Sequence, residues 1–291
     1  MSAPGRWISL LFVLLPGACR SPVPEQRLSG ISRSVATAVP SVAEGPWAFR
    51  PASRRHAYVI EQRAALTTRT DTGTSNDSVS LRAELAVTSF SEGAKISGSI
   101  SSYLVQAPGR APSTPRDLTL PLAFAGDYSS PGRQVVFSAP ATTVPCATAG
   151  MNALQSLRDL WLRPPDTLRL HGTWEDSATY VVCRDGVSLH VTSRRMFRVT
   201  SVVVRDGRAL LTVQRSSRGT LRGSGQQARE PVEIAGVSSG QAVYDLYPET
   251  GELAGVRGTS VLDLSLKSRR RAQSVLQVTE LKIRRRSVDE P

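Results

Sequence analysis

The chain has 291 residues, 36 of them basic and 24 acidic, for a formal net charge of +12, and only 5% of its residues are aromatic. Thirty-three of the 36 basic residues are Arg, a bias that reflects coding composition. The basic runs are not interleaved with rings on which bases could stack, so composition speaks against a nucleic-acid partner.

Arg6 supplies a short positive region, and Trp7 to Leu15 is an apolar run broken only by Ser9. As a helix this run rises about 14 Å, less than half of the roughly 30 Å hydrocarbon core, so it reads as the h-region of a secretory leader and not as a membrane span. It ends in Leu15-Pro16-Gly17-Ala18-Cys19, which resembles the lipobox of bacterial lipoproteins, a Leu and two small residues before the Cys that receives diacylglycerol; Pro16 stands where Leu is usual. The resemblance implies lipidation of Cys19 and a membrane as first partner. The other reading is ordinary cleavage near Ala18, with Cys19 an incidental thiol. Residues 1–18 are thus expected to be a signal peptide, and 19–55 a lipidated N-terminus and flexible linker rich in Ser, Pro, Ala and Val. Residues 56–285 are expected to form a single β-rich domain, with 286–291 a tail.

Within that domain, period-two alternation dominates. Val79, Leu81, Ala83, Leu85 and Val87 alternate with Ser80, Arg82, Glu84, Ala86 and Thr88, as in a strand with one buried and one wet face. The same pattern recurs in Ile96, Gly98 and Ile100, in Leu118, Leu120, Leu122 and Phe124, and in Leu262, Leu264 and Leu266. Connectors such as Arg205-Asp206-Gly207 and Glu249-Thr250-Gly251 supply the Gly that tight hairpins need. Strand pairs are predicted at 78–90 with 94–106, 177–183 with 187–193, 195–204 with 208–216, and 241–247 with 252–266. Arg222-Gly223-Ser224-Gly225 reads as a flexible hairpin tip. Strands do not alternate with helices, which disfavours a doubly wound sheet. The expected fold is mainly β, an antiparallel meander forming a curved open sheet or partly open barrel.

One helix is expected to pack on that sheet. Met151, Leu154, Leu157, Leu160 and Trp161 fall at helical spacing, and Arg163-Pro164-Pro165 ends the pattern, giving an amphipathic insertion over about 147–162. Besides Cys19 the cysteines are Cys146 and Cys183. In an exported chain one pair and one left over read as a disulfide, Cys146 to Cys183, plus a lipid-modified Cys19. Neither has a Cys or His neighbour at zinc-ligand spacing, so no metal is expected.

Reaction classes are tested by their parts. The chain lacks G-x-S-x-G, H-E-x-x-H, a Walker loop and the dinucleotide-binding glycine fingerprint. His56, His171 and His190 lie in unrelated settings. Glu175 and Asp176 are a compact acidic pair, but adjacent residues of a strand point to opposite faces, which separates two carboxylates that would need to converge for glycoside hydrolysis. Trp174 is expected to pack under the sheet. No catalytic residue and no cofactor is assigned.

The stretch from Cys146 through "GTWEDSATYVVCRDGVSLHVTSRRMFRV" to "GQAVYDLYPETGELAGVRG" resembles β-rich bacterial envelope lipoproteins of unassigned role, over roughly residues 56 to 285. A looser similarity in strand grammar links these to lipoprotein-localisation carriers and lipid-binding lipoproteins, whose open sheets hold acyl chains against an internal helix. The resemblance implies a non-enzymatic lipoprotein of the cell envelope, in the outer membrane or periplasm, whose sheet binds an apolar ligand or docks to an envelope protein. The alternative is a secreted hydrolase acting on envelope glycans or esters. At the C-terminus two arginine triplets, Arg269, Arg270, Arg271 and Arg284, Arg285, Arg286, flank a final strand. They read either as protection of an edge strand or as a contact for an anionic surface.

Overall fold

The computed structural model describes residues 45–50, 54–89, 95–127, 132, 135–138, 150, 153–154, 157–184, 187–227, 230–269 and 271–286. Alternating apolar and polar residues make long strands, and the Gly-bearing connectors fold them into hairpins. In chain order the strands are β1 (Trp47–Ala48), β2 (Arg54–Thr70), β3 (Gly73–Ser89), β4 (Lys95–Gln106), β5 (Leu122–Asp127), β6 (Val136–Ser138) and β7 (Thr167–Leu168). They continue as β8 (Thr173–Arg184), β9 (Val187–Arg205), β10 (Arg208–Gln227), β11 (Glu230–Tyr247), β12 (Glu252–Ser268) and β13 (Ala272–Arg286). All four predicted hairpins form: β3 with β4, β8 with β9, β9 with β10 and β11 with β12. At the β9–β10 turn Asp206 and Gly207 take φ of 53° and 73°, the paired left-handed conformation of a two-residue hairpin loop.

The main sheet has 11 strands in the order β6-β5-β4-β3-β2-β13-β12-β11-β10-β9-β8, every pairing antiparallel. The first long strand therefore pairs with the last, Ile60 facing Ile283. The edge strands are β6 and β8, from the middle of the chain, and the sheet is not closed. Trp47 of β1 pairs with Leu168 of β7, Phe49 N–H donates to the Asp166 carbonyl at 2.8 Å, and Phe49 is buried. Part of the expected linker thus belongs to the folded unit.

One face of the sheet, here the inner face, is apolar. In β9 the burial alternates strictly over Val187, Leu189 and Val191 and again over Arg195, Phe197 and Val199. Two cores sit on this face. In the first, Leu118, Leu154, Leu157, Leu160, Leu162 and Leu168 of the connecting segments pack on the sheet through residues such as Ile60, Ile100, Phe197, Leu211 and Tyr244. In the second, toward the other end of the strands, Val187, Leu189, Leu221, Ile234, Leu264 and Val275 pack together. β-Bulges at Glu84/Leu85, Thr212/Val213 and Asp245/Leu246 bend the strands, since an extra residue on one strand tightens the local twist.

Two sequence expectations are corrected. The packed amphipathic helix over about 147–162 is not found as a continuous element among the described residues: of these only Gly150, Ala153 and Leu154 are α-helical, and the only complete helical element is a 3-10 turn, Arg158–Leu160. Leu154, Leu157 and Leu160 are buried as expected, and their three-residue spacing is one that a 3-10 turn also places on a single face. Accordingly Leu157 N–H donates to Leu154 O at 3.1 Å and Leu160 N–H to Leu157 O at 2.9 Å. The turn is also held from outside, the Arg195 guanidinium donating to the carbonyls of Arg158 within it and of Trp161 just after it. The second correction is Arg222 to Gly225, which lies within β10 and pairs with Val232 to Ala235 of β11. Gly223 answers a close strand approach: a Cβ there would sit 2.2 Å from the Ser188 carbonyl oxygen.

Candidate functional site

Because side chains alternate along each strand, the residues between the core positions stand on the opposite, outer face. There, two successive rows line a groove of about 1480 Å³ that crosses the sheet from β8 to β4. In the first row Arg198, Gln214, Val243, Arg257, Lys282 and Glu61 are consecutive cross-strand partners. The second runs through Met196, Ser216, Gln241, Thr259, Glu280 and Arg63. The floor is the backbone of the row between, where Ala242 and Gly258 are paired and turn little or no side chain toward the other face. Gln106 and Pro112 add to the wall beside β4.

The groove carries an excess of cations. Among its lining residues Arg63, Arg198, Arg257 and Lys282 have no carboxylate within ion-pair distance among the described residues. Arg257 and Lys282 lie directly opposite each other across β12 and β13, an arrangement that like charges disfavour. Of the groove's acids, Arg284 holds Glu61 at 2.8 Å and Glu84 is reached by Arg286 and Arg82, each at 3.4 Å, while Glu280 stands in the second row directly across from Arg63.

That pairing also locates the C-terminal arginines. Arg284 and Arg286 engage carboxylates of β2 and β3, and Arg285 binds Glu252, whose side chain is 1% exposed and also lies 3.9 Å from Arg208. Their strand lies between β12 and β2, so it is an interior strand and edge protection does not apply. Arg269 and Arg271 are exposed at the β12–β13 turn, at the far end of the strand. Arg270, Cys19 and Cys146 lie outside the described residues. Cys183 is on edge strand β8 opposite Ser188, with its side chain outside them, so the disulfide reading is not addressed by the described residues.

Glu175 and Asp176 diverge as strand geometry requires. Glu175 faces solvent beside Arg194, whereas Asp176 is buried and accepts two hydrogen bonds from Arg195, 2.7 Å from Nε and 2.6 Å from Nη2. Trp174 stacks on Phe197, ring centroids 4.9 Å apart at 10°. His56 is buried in β2, His171 sits in the turn before β8 with φ of 62°, and His190 is exposed on β9. The described residues do not bring these groups together into one constellation. The groove was not found from sequence, because its cations are spread over β9, β12, β13 and β2 and align only once the register is known. The available signal was the recurrence of Arg, Lys and Gln at the polar half of each alternation.

No family model matches the chain, and no curated protein matches it. Among solved structures, Pseudomonas aeruginosa OpdQ is similar at 7% identity and a TM-score of 0.25, covering 79% of this chain and 98% of that one. Pseudomonas aeruginosa OccK8 (OprE) is similar at 6% identity and a TM-score of 0.23, over 80% of this chain and 98% of that one. A domain from Vibrio parahaemolyticus, described as of outer membrane lipoprotein sorting, matches at 11% identity and a TM-score of 0.19, over 81% and 87%. At these scores the likeness is weak and carries no argument about this chain's role.

Proposed function

We propose that the chain is a non-enzymatic binding protein of the cell envelope, exported by its leader, tethered through Cys19, and holding a polar ligand or partner in the groove across the outer face of its sheet. The observation that carries this is the groove itself: an extended concavity on the face opposite the core, with four cations that have no carboxylate partner among the described residues. An apolar ligand would need the inner face, and there the first core is filled by the chain's own Leu154, Leu157, Leu160 and Leu162. The cations and amide side chains along the groove favour a polar occupant instead.

The test compares arginine reactivity in two settings. Isolated envelopes and the purified full chain are treated with phenylglyoxal, and modified peptides are quantified by mass spectrometry. Arg198 and Arg257 are expected to be protected in envelopes relative to the purified chain. Arg218 and Arg222, exposed on the same face of β10 but outside the groove, serve as controls and should react equally in both. Equal reactivity of all four in the two settings would remove the groove as the binding face.

A further inference from the structure

We infer that the groove takes an anionic polysaccharide chain, an inference that rests on the groove being the binding face. The first support is the distribution of charge. From Arg198 on β9 through Arg257 and Lys282 to Arg63 on β2 the cations extend over five strand spacings, about 24 Å at 4.7–4.9 Å each. A single small anion covers one or two of them. A chain bearing a charge on successive units can meet all four.

Shape and chemistry then separate the polyanions. A bilayer surface is flat and cannot follow a concave groove. Single-stranded nucleic acid draws much of its affinity from bases stacked on exposed rings, and among the described residues the only aromatic one lining the groove is Phe197, which is buried. An extended acidic peptide binds a sheet by adding main-chain hydrogen bonds at an edge. This groove crosses the interior of the sheet, where the ladders from β9 to β3 already pair the backbone. What the walls offer is amide and hydroxyl groups, from Gln106, Gln214, Gln241, Ser216, Thr173 and Thr259, interspersed with the cations. That set suits a ligand carrying hydroxyl groups on every unit and carboxylates at intervals. Of the three acids lining the groove, Glu61 and Glu84 are engaged by Arg284 and Arg286 and Glu280 stands directly across from Arg63, so cations still outnumber acids along the lining.

The test titrates the detergent-solubilised full chain with polygalacturonate fragments, from the monomer to chains long enough to cross the groove, at low and high salt. Affinity is expected to rise with chain length until the fragment spans about 24 Å and to fall as salt rises. Arg257→Gln with Lys282→Gln should weaken the longest fragment and lower the slope of log K against log salt by about one for each cation removed. Arg218→Gln with Arg222→Gln should change neither. Poly-glutamate and oligo-dT of matched charge are the comparators. Absence of polygalacturonate binding, binding that ignores the Arg257 and Lys282 substitutions, or equal binding of either comparator overturns the inference. If groove arginines are nevertheless protected in envelopes, the binding-face reading survives with another ligand; if they are not, both fall.

Discussion

The neighbouring acids of β8 give a sharp test of how the two faces differ. Asp176 and Glu175 are adjacent in sequence and each meets an arginine of β9, but the Arg195 and Asp176 side chains are 4% and 0% exposed, against 68% and 44% for Arg194 and Glu175. Removing one partner of a buried pair strands the other charge and costs about 3–5 kcal/mol, while an exposed pair is worth about 0–1 kcal/mol because water and salt screen it. Asp176→Asn is therefore expected to lower unfolding free energy by about 3–5 kcal/mol and Glu175→Gln by less than about 1 kcal/mol. Arg195→Met should cost at least as much as Asp176→Asn, since it also removes the donors to the Arg158 and Trp161 carbonyls. The Asp176→Leu, Arg195→Met double variant should cost less than the sum of the single changes, because no charge is left stranded. Guanidinium unfolding followed by far-UV circular dichroism and tryptophan fluorescence reads all four, with Trp161 and Trp174 as local reporters. An Asp176→Asn variant as stable as the Glu175→Gln variant would refute the argument that this pair anchors the 157–161 segment to the sheet.

Burial pushes the Tyr103 phenol up to about 12 from an unfolded value of 10.0, and burial raises Tyr58 as well. The neutral form is the one the fold favours, so stability is fully present below pH 10.0 and is lost as pH rises from there through about 12; Tyr103→Phe should flatten that loss in urea titrations at alkaline pH. Cys19→Ser should move the chain from the membrane to the soluble fraction with an unchanged circular dichroism spectrum, and fractionation identical to wild type would refute the anchor. Arg285→Gln should destabilise the fold while Arg271→Gln leaves it within about 0.5 kcal/mol, because Arg285 answers buried Glu252 and Arg271 is an exposed turn residue. Equal melting temperatures for those two variants would remove Arg285 from the structural account.

Local signals in the sequence were readable where a pattern and its turn lay side by side. Val79 to Val87 alternates and its partner follows within a few residues, so β3 and β4 could be paired directly. The pairing of β2 with β13 could not, since nothing near Ile60 points to Ile283 at the other end of the chain. The leucines at 154, 157 and 160 misled because a three-residue repeat of apolar side chains satisfies a helix pattern, while Arg195, distant in sequence, supplies the donors that hold the 3-10 turn and the residue after it. Gly223 and Gly225 looked like loop glycines; in the sheet, Gly223 gives room for the Ser188 carbonyl. The groove was the least legible feature, because Arg257 and Lys282 become neighbours only through the β12–β13 register.

The most direct measurement is photo-crosslinking in living cells from a benzoyl-phenylalanine placed at Gln214, inside the groove, or at Thr220, exposed on the same face of β10 but outside it. The account predicts a polydisperse, periodate-sensitive adduct from position 214 and none from position 220. Equal adducts from both positions, or a discrete protein adduct from position 214, would contradict it.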